Sequence, residues 1–467
     1  MRETPAERQR LSTKTLPRAR VAGLPGYDRT AAPVIAHLGF GAFARAHLAV
    51  YADDLLRRGR PALIRGVSLL HHGAEEQLGP QDGLFTVAVR EPGTPMSLRV
   101  VGALAAVQTG PAAAVEAMAA PSTTLVTLTI TEKGYDLGAD GPAAPEGPTS
   151  APALVALALA RRRAAGLAPP ILASLDNLLD NGAVLRARVL EAAAEMEAPL
   201  ATWIADQVCF PSSVVDRMVP APTERDRADI ADALGLIDCA AVHTERHRSW
   251  VIRSADGLEP LGDVGVALVD DVGPFERRKL WLLNGPHSAV AAAGLLTGHE
   301  TIADAVRDPT IARFARALVD DTLAVTGLPA SLHPASFAEE ALRRFANPTL
   351  GHTCTQVGAD GSSKLPQRLL PVVAARQQRG LGTARFALVA AVWIAATSGV
   401  EVRGTRLPRL QDPMAPALRA VRARSSDLHR LSEVALGARG DPRFGAEVAS
   451  VLARLTTEGV GVLGSTS

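Results

Sequence analysis

The sequence predicts an α/β protein with a Rossmann-like N-terminal domain, whose sheet is mainly parallel, and a mostly α-helical C-terminal domain. The chain has 467 residues, which is too long for one ordinary domain and enough for two. Apolar runs alternate with helix-like segments in the first half, and the strand pattern fades beyond about residue 273. We therefore expect an N-terminal extension at 1–30, the Rossmann-like domain at 31–270 and the helical domain at 271–467.

Four apolar runs of strand length occur in the first half, with helix-like segments between them. The helical segment after the first run covers 43–58. Such alternation is typical of parallel strands that are covered by helices on both faces. A stretch rich in Gly, Pro and Ala predicts an exposed loop at 136–151. The four predicted strands are 33–40, 62–69, 125–131 and 170–176.

The second half carries helical periodicity. Amphipathic or wholly apolar patterns of helical length are separated by Pro and Gly. No internal repeat is seen. The predicted helices are 302–323, 336–344, 368–379, 384–397 and 444–458.

The composition argues against several classes of function. The net charge is +1 and aromatic residues make up 4% of the chain, so neither a nucleic acid nor a membrane surface is an expected partner. The three cysteines lack metal-ligand or disulfide spacing, which fits a reducing compartment. We expect a cytoplasmic protein without a bound metal, present as a monomer or small homo-oligomer, whose partner is a small molecule.

Lysine is rare in this chain. Of 49 Lys and Arg residues, only four are lysines, namely Lys14, Lys133, Lys279 and Lys364. An arginine keeps its proton in a protein, whereas a lysine releases its proton when its pKa is depressed. A lysine retained in this background is therefore a candidate for acid–base chemistry.

A glycine-rich segment closes the first predicted strand and opens the first predicted helix. It reads G-x-G-x-x-A, with Gly39, Phe40, Gly41, Ala42 and Phe43 as its first five residues. In dinucleotide-binding folds the first glycine permits the tight turn, and the second lets a pyrophosphate approach the helix N-terminus. The alternative is a glycine-rich turn that only packs. We predict that these five residues bind NAD or NADP.

The choice between NAD and NADP stays open. NAD-preferring Rossmann domains usually carry an acidic residue after the second strand, for the ribose hydroxyls. No acid stands at that place here. Glu75 lies further along, and His71 and His72 would tolerate a 2′-phosphate.

The segment 274–288 combines a carboxylate, an amine, an amide and an imidazole. On a helix, Glu276, Lys279, Asn284 and His287 would share one broad face. Oxidation of an alcohol needs a base for the hydroxyl proton, and a buried lysine with a lowered pKa serves this purpose near neutrality. Amide donors hold a developing alkoxide. The alternative is a domain-linking helix with polar surface residues.

A second amide follows the fourth predicted strand, at the edge where ligands bind in such folds. Asn177 lies in the run DNLLDNG, which also offers Asp180 and Asn181. An Asp or Asn here is alternatively a helix cap. Asp180 and Asn181 are the better cap candidates, which leaves Asn177 for the site.

At these residues the sequence resembles the mannitol dehydrogenase family, the long-chain polyol-specific dehydrogenases. The resemblance extends over nearly the whole chain. It is carried by HLGFGAFARAH (37–47), TITEKGY (129–135), DNLLDNG (176–182), FPSSVVDRMVP (210–220), KLWLLNGPHS (279–288) and DGSSKLPQRLLP (360–371).

The resemblance implies roles for individual residues. It makes Lys279 the base, Asn284 and Asn177 the oxyanion-binding pair, and His287 a hydrogen-bond partner of the substrate. Glu276 is implied in proton passage. By the same resemblance, Asp216 and Lys364 are polar residues on the substrate side.

Three positions depart from the family pattern. Ala44 stands where a His is common, Trp281 where an Arg is frequent, and Pro286 where a Ser is usual. Because a proline inside a helix removes a hydrogen bond and kinks the axis, Pro286 bears on the placement of His287. These departures also leave open a non-catalytic NAD(P)-binding sensor.

Two features bear on the substrate. Mannitol dehydrogenases tend to carry an Arg at the position of Gln356, and the run KLPQRLL (364–370) looks more like the fructuronate reductase (mannonate oxidoreductase) branch. We therefore rank fructuronate/mannonate above fructose/mannitol, with altronate/tagaturonate and arabinitol behind. Gln356 is then a substrate-binding candidate, and Arg45, Lys364 or Arg368 is a candidate partner for an acidic group.

Overall fold

The computed structural model describes residues 8–130, 132–135, 150–437 and 440–466. The chain divides into two compact units, Met1–Gly273 and Pro274–Ser467. The loop predicted at 136–151 lies outside the described residues except for its last two positions. Among the described residues, no helix has the length and apolar character needed to cross a membrane.

The N-terminal unit contains a five-stranded sheet in the order β5–β2–β1–β6–β7, with every neighbouring pair parallel. All four predicted strands belong to this sheet, which confirms the Rossmann-like fold. The chain leaves β1 first toward β2 and β5 and later toward β6 and β7, so the strand order reverses beside β1. Ligands bind at the carboxyl edge next to such a reversal. The strands of this sheet are β1 Ile35–Leu38, β2 Ile64–Ser68, β5 Leu104–Thr109, β6 Leu125–Leu128 and β7 Ile171–Ser174. Two strands of another sheet, β3 Phe85–Val89 and β4 Ser97–Val101, lie between β2 and β5 in the chain.

Helices cover both faces of the parallel sheet. Ile35 of β1 packs in one apolar core and Ala36 and Leu38 pack in another, because successive side chains of a strand point to opposite faces. This explains why apolar residues predominate on both faces of these strands. The helices of the unit are α1 Ala42–Ala46, α2 Leu48–Arg57, α3 Gly73–Leu78, α4 Pro111–Ala119, α5 Ala151–Ala164, α6 Asn181–Met196, α7 Ala198–Gln207, α8 Glu224–Leu234 and α9 Glu259–Gly262.

The helix predicted at 43–58 is two helices, α1 and α2. They are interrupted at His47, whose backbone leaves the helical region at φ −112° and ψ −82°. The imidazole of His47 is fully buried and its Nε2 lies 2.9 Å from the carbonyl oxygen of Ser249. This long-range contact lies at the break between α1 and α2, which a local sequence pattern does not reveal.

Two three-stranded sheets complete the N-terminal unit and were not predicted. One has the order β4–β3–β9 and the other β11–β10–β8, and each contains an antiparallel pair. Their strands are only three to five residues long, so partners distant in sequence stabilise them. The remaining strands are β8 Ser213–Asp216, β9 Val242–Thr244, β10 Ser249–Arg253 and β11 Ala267–Val269.

The segment 8–30 packs against the same unit. Leu11 is fully buried in a small apolar cluster with Leu84 and Leu236, and Arg10 forms a backbone bridge with Ile237. A short 3₁₀-helix follows at Leu16–Arg18.

The C-terminal unit is helical, as predicted. Two helices, α11 (Gly285–Thr297) and α18 (Ala384–Ser398), are buried on nearly all sides and form its centre. The helix predicted at 302–323 breaks at Asp308, because Pro309 follows and the Asp308 carboxylate caps the next helix at Thr310 N, 2.7 Å away. The helices are α10 Gly273–Lys279, α11 Gly285–Thr297, α12 Ile302–Arg307, α13 Pro309–Leu323, α14 Pro334–Phe345, α15 Cys354–Gly358, α16 Gly361–Arg368, α17 Leu370–Gln378, α18 Ala384–Ser398, α19 Ala415–Arg424, α20 Leu428–Leu436, α21 Pro442–Glu458 and α22 Gly461–Thr466.

Candidate active site

The turn between β1 and α1 depends on a glycine at position 39. Gly39 has a φ of +90°, and a Cβ added there would lie 2.1 Å from the carbonyl oxygen of Thr129. Any other residue at position 39 would have a strained backbone, and its Cβ would clash with the backbone of Thr129, just after β6. The amide of Gly41 closes the turn onto the carbonyl of Gly39 at 2.7 Å.

The second glycine of the turn faces open space. A Cβ added to Gly41 would meet only the carbonyl of Gly39, at 3.8 Å. Gly41 occupies the N-cap position of α1, and the amides of the first turn of a helix have no acceptor within the helix. A backbone that is open above amides at a helix N-terminus fits a pyrophosphate.

The two phenylalanines of the turn have different surroundings. Phe40 is 1% exposed, and its ring lies against Gly66 of β2, where a Cβ would come within 2.7 Å of the ring. Its side chain is therefore a core residue, and the backbone is its contribution to the turn. Phe43 stacks on His47 with ring centroids 5.0 Å apart.

A buried histidine supports this turn and was not predicted from the sequence. His37 Nδ1 lies 2.8 Å from Thr127 Oγ1, and its Nε2 lies 3.0 Å from Thr129 Oγ1. Thr129 Oγ1 in turn donates to the carbonyl of Gly39 at 2.8 Å. Burial lowers the pKa of His37 to about 3, so the ring is neutral. A single polar residue inside an apolar strand was the available signal.

The end of β2 carries no acid, as the sequence indicated. The strand ends at Ser68, and the exposed side chains of Leu70, His71 and His72 follow it. Glu75 lies in the first turn of α3, with its Oε2 3.5 Å from Nδ1 of His72.

Asn177 lies just beyond the carboxyl end of β7 and its side chain is exposed. Its neighbour Asp176 accepts hydrogen bonds from the hydroxyl of Tyr135 at 2.7 Å and from the amide of Ile130 at 3.2 Å. Asn181 is fully buried and its amide group binds the backbone of Ser213 on β8. Asn181 is thus structural.

Asp216 ends β8, outside the five-stranded sheet. It is buried, and its Oδ2 lies 3.2 Å from His247 Nε2. Asn177, a predicted catalytic residue, and Asp216, a predicted substrate residue, belong to the N-terminal unit, whereas the other predicted catalytic residues belong to the C-terminal unit.

The segment with the predicted base is not one regular α-helix. α10 ends at Lys279, a π-helical turn covers Leu280–Asn284, and α11 begins at Gly285. The amide of Gly285 donates to the carbonyl of Leu280, five residues back. In an α-helix, Asn284 would point about 140° away from Lys279. Because each residue of a π-turn rotates the chain by less than a residue of an α-helix, the turn brings Asn284 back toward the face of Lys279.

The π-turn also bears on Pro286. The sequence placed this proline inside a helix, where it would kink the axis. In the structure Pro286 lies in the first turn of α11, directly after the π-turn, so the proline coincides with the change in helical hydrogen bonding. Glu276 and Asn284 are buried and Lys279 is partly buried on this stretch.

His287 lies in an aromatic and basic environment. Its ring stacks on Phe345 with centroids 4.6 Å apart, and the ring of His352 lies 6.0 Å away. Burial first, and then the basic groups of His352, Arg368, Arg344 and Lys364, hold the pKa of His287 well below its usual range. The buried Nε2 has no hydrogen-bond partner among the described residues, so it is available to a ligand.

The last two predicted substrate residues lie near α15. Lys364 Nζ donates to the carbonyl of Ala359 at 2.6 Å, so it fastens the end of α15. Gln356 is exposed, and its Oε1 accepts the amide of Thr353 at 3.2 Å in a capping box. Within the part of the chain that the structure describes, no three His, Cys, Asp or Glu side chains lie close enough to hold a metal ion.

Both units match models of one family. Residues 33–259 match the mannitol dehydrogenase Rossmann domain, and residues 271–436 match the mannitol dehydrogenase C-terminal domain. This chain belongs to the mannitol dehydrogenase family. It is therefore an oxidoreductase, as the sequence predicted.

Several family members are similar along most of their length. D-mannonate oxidoreductase of Escherichia coli (strain K12) is 37% identical over 85% of this chain and 86% of its own. Mannitol 2-dehydrogenase of Phaeosphaeria nodorum is 34% identical over 96% of this chain and 84% of its own. The solved ternary complex of Pseudomonas fluorescens mannitol 2-dehydrogenase with NAD and D-mannitol is 30% identical, with a TM-score of 0.86 over 98% of this chain and 99% of that one.

Proposed function

We propose that this member of the mannitol dehydrogenase family interconverts a secondary alcohol and a ketone of an open-chain sugar acid, with mannonate and fructuronate as the pair. The observation that supports the reaction is the π-turn, because it rotates Asn284 toward the face of Lys279. The buried, unpartnered Nε2 of His287 adds a site for a substrate hydroxyl on the following helix.

Lys279 is the base in this proposal. Its Nζ takes the proton of the reacting hydroxyl and returns it in the reverse direction. The side-chain amide of Asn284 donates to the oxygen as negative charge develops on it, and the resemblance assigns Asn177 as the second donor. Glu276, three residues before Lys279, lies on the same stretch of helix and serves proton passage.

The coenzyme would be held by the turn from Gly39 to Phe43. The open backbone at Gly41 and the N-terminus of α1 fit its pyrophosphate. When bound, the nicotinamide supplies the hydride acceptor and donor. The solved relative binds NAD, which supports NAD here. The exposed His71 and His72 are compatible with NADP as well.

Asp216 and Lys364 are the proposed polar contacts on the substrate side. Lys364 also fastens the end of α15, so a change there would move the chain around it. For Gln356 a contact with the substrate stays a prediction, since its side-chain oxygen accepts from its own helix.

A second candidate is the fructose/mannitol reaction. It is supported by the similarity to the mannitol 2-dehydrogenases of Phaeosphaeria nodorum and Pseudomonas fluorescens. The sugar-acid assignment is supported by the similar D-mannonate oxidoreductase and by the run KLPQRLL at 364–370.

The deciding experiment follows the absorbance of the reduced coenzyme with purified protein. Fructuronate and fructose are each offered with NADH and with NADPH. We expect turnover of fructuronate above that of fructose. Turnover of fructose alone would replace the sugar acid by mannitol as the substrate. Coenzyme binding without turnover of any ketose or uronate would contradict the enzymatic proposal and favour a sensor.

A further inference from the structure

Basic groups gather around His287 in the C-terminal unit. His352, Arg368, Arg344 and Lys364 are the charged or chargeable groups that act most strongly on its ring. They come from α14, from α16 and from the segment between α14 and α15. A neutral polyol offers no charge to such a cluster, whereas an anionic substrate does.

Arg368 contacts the start of α11, directly after the π-turn. Its Nη1 donates to Ser288 Oγ at 3.0 Å, and Ser288 follows His287 directly. Its backbone carbonyl packs against Gly285, where an added Cβ would lie 3.3 Å away. Gly285 follows Asn284. Arg368 is thus held by side chain and by backbone beside the two residues proposed to contact the substrate.

Each of the other two basic candidates named from the sequence donates to a backbone carbonyl. Arg45 lies in the N-terminal unit, is buried, and donates to the carbonyl of Ala240 at 2.6 Å. Lys364 donates to the carbonyl of Ala359 at 2.6 Å. Arg368 lies four residues after Lys364, on the same face of α16. Its planar fork of N–H groups matches a carboxylate in both charge and shape.

We propose that Arg368 binds the carboxylate of the substrate and thereby selects sugar acids over neutral polyols and ketoses. This inference rests on the proposed function, because it assigns one end of the same substrate. Ser288 orients the guanidinium, and His287 binds a hydroxyl of the sugar chain.

The test compares a charged and an uncharged ligand in each variant. Arg368→Gln removes the charge, and Arg368→Lys keeps the charge without the fork. Ser288→Ala keeps Arg368 but removes its tether. Arg343→Gln is the matched control, since Arg343 is an exposed arginine on α14 beside Arg344. For each protein, calorimetry measures the binding of D-mannonate and D-mannitol with coenzyme present. Steady-state assays give kcat and KM for fructuronate and fructose.

We expect Arg368→Gln to weaken mannonate binding and to raise the KM for fructuronate about 10- to 100-fold, which is the range of a charge-assisted hydrogen bond. The kcat for fructuronate and all values for mannitol and fructose should change less than about threefold. Arg368→Lys should recover part of the loss, Ser288→Ala should show a smaller loss, and Arg343→Gln should match the wild type.

The outcomes separate this inference from the proposed function. Equal losses for charged and neutral ligands would mean that Arg368 is only structural, which overturns the inference. If the wild type turns over fructuronate and the Arg368→Gln variant has the same KM and the same mannonate affinity, the inference is overturned and the proposed function stands. Binding of mannonate that depends on Arg368, without turnover, would support the inference and contradict the function. A wild type that binds no sugar acid would overturn the inference.

Discussion

The imidazole of His287 lies flat against the ring of Phe345, with centroids 4.6 Å apart and planes 12° from parallel. Phe345 is 2% exposed at the end of α14, so the stack belongs to the core of the C-terminal unit. The stack fixes the ring plane, and with it the direction of Nε2. Phe345, which lies in no sequence motif, therefore positions His287, which lies in one.

We expect Phe345→Leu to act on the substrate more than on the fold. Leucine keeps most of the apolar volume, so the free energy of unfolding should fall by only about 1–2 kcal/mol. Without the stack the imidazole turns, and the KM for the sugar substrate should rise about tenfold. Urea unfolding and steady-state kinetics measure the two effects. An unchanged KM would show that the stack does not position His287.

Lys279→Ala should remove most turnover and leave the coenzyme bound. Loss of a general base lowers kcat by about 10²- to 10⁴-fold. The coenzyme is proposed to bind at Gly39–Phe43 and not at Lys279. The Kd for the reduced coenzyme, measured by its fluorescence, should therefore stay within about twofold. Lys14→Ala is the matched control, since Lys14 is exposed in the N-terminal segment. Near-normal turnover of Lys279→Ala would exclude it as the base.

The two glycines of the coenzyme turn should respond differently to alanine. Gly39→Ala combines a φ of +90° with a 2.1 Å clash at Thr129, so the free energy of unfolding should fall by more than about 2 kcal/mol. Gly59→Ala is the control for the backbone term alone. Gly59 has a φ of +73° and nothing within 4 Å, and its replacement should cost about 1 kcal/mol. Equal costs in urea unfolding would contradict the clash.

Gly41→Ala should fold normally and bind the coenzyme poorly. Its φ is −96° and an added Cβ meets nothing closer than 3.8 Å, so stability should change by less than about 1 kcal/mol. The methyl group would fill the space that the pyrophosphate needs, and we expect the Kd for NADH to rise more than about tenfold. Unchanged NADH fluorescence titration would remove Gly41 from the coenzyme site.

Stability should fall with acidification, in part through His37. Its pKa is about 3 in the folded protein against 6.5 unperturbed, so the unfolded chain binds more protons below pH 6.5. The free energy of unfolding therefore decreases as the pH falls from 6.5 toward the folded pKa, by about 1.4 kcal/mol per pH unit for this histidine. His37→Asn should show a correspondingly shallower slope in urea unfolding between about pH 6.5 and pH 5. His429→Asn, at an exposed position, should keep the wild-type slope.

The parallel sheet was predictable because strands buried on both faces are mostly apolar, as in β1 and β6. The edge strand β5 and the two small sheets were not, since their short strands depend on distant partners. Val215 and Trp250, for example, pair across 35 residues. The sequence carries no local trace of such a pairing.

The candidate site was predicted by residue identity and spacing rather than by conformation. The rarity of lysine pointed to Lys279, and the polar segment around it pointed to Asn284. The change from α- to π-helix between them was not predictable. It only moves the carbonyl acceptor of a backbone amide from the fourth to the fifth preceding residue, within a stretch of five residues. Arg368 and Ser288 could not be paired from sequence, since their contact spans 80 positions.

The π-turn at Leu280–Asn284 amounts to one residue inserted into an otherwise continuous helix. Removing a single residue there would let the chain revert to an α-helix in which the amine and the amide stand four positions apart on one face, with everything after them in unchanged phase. Adding a second residue would instead turn the amide, and all that follows it, by about 100°. A deletion at this point should therefore be tolerated better than an insertion, whereas a loop accepts either.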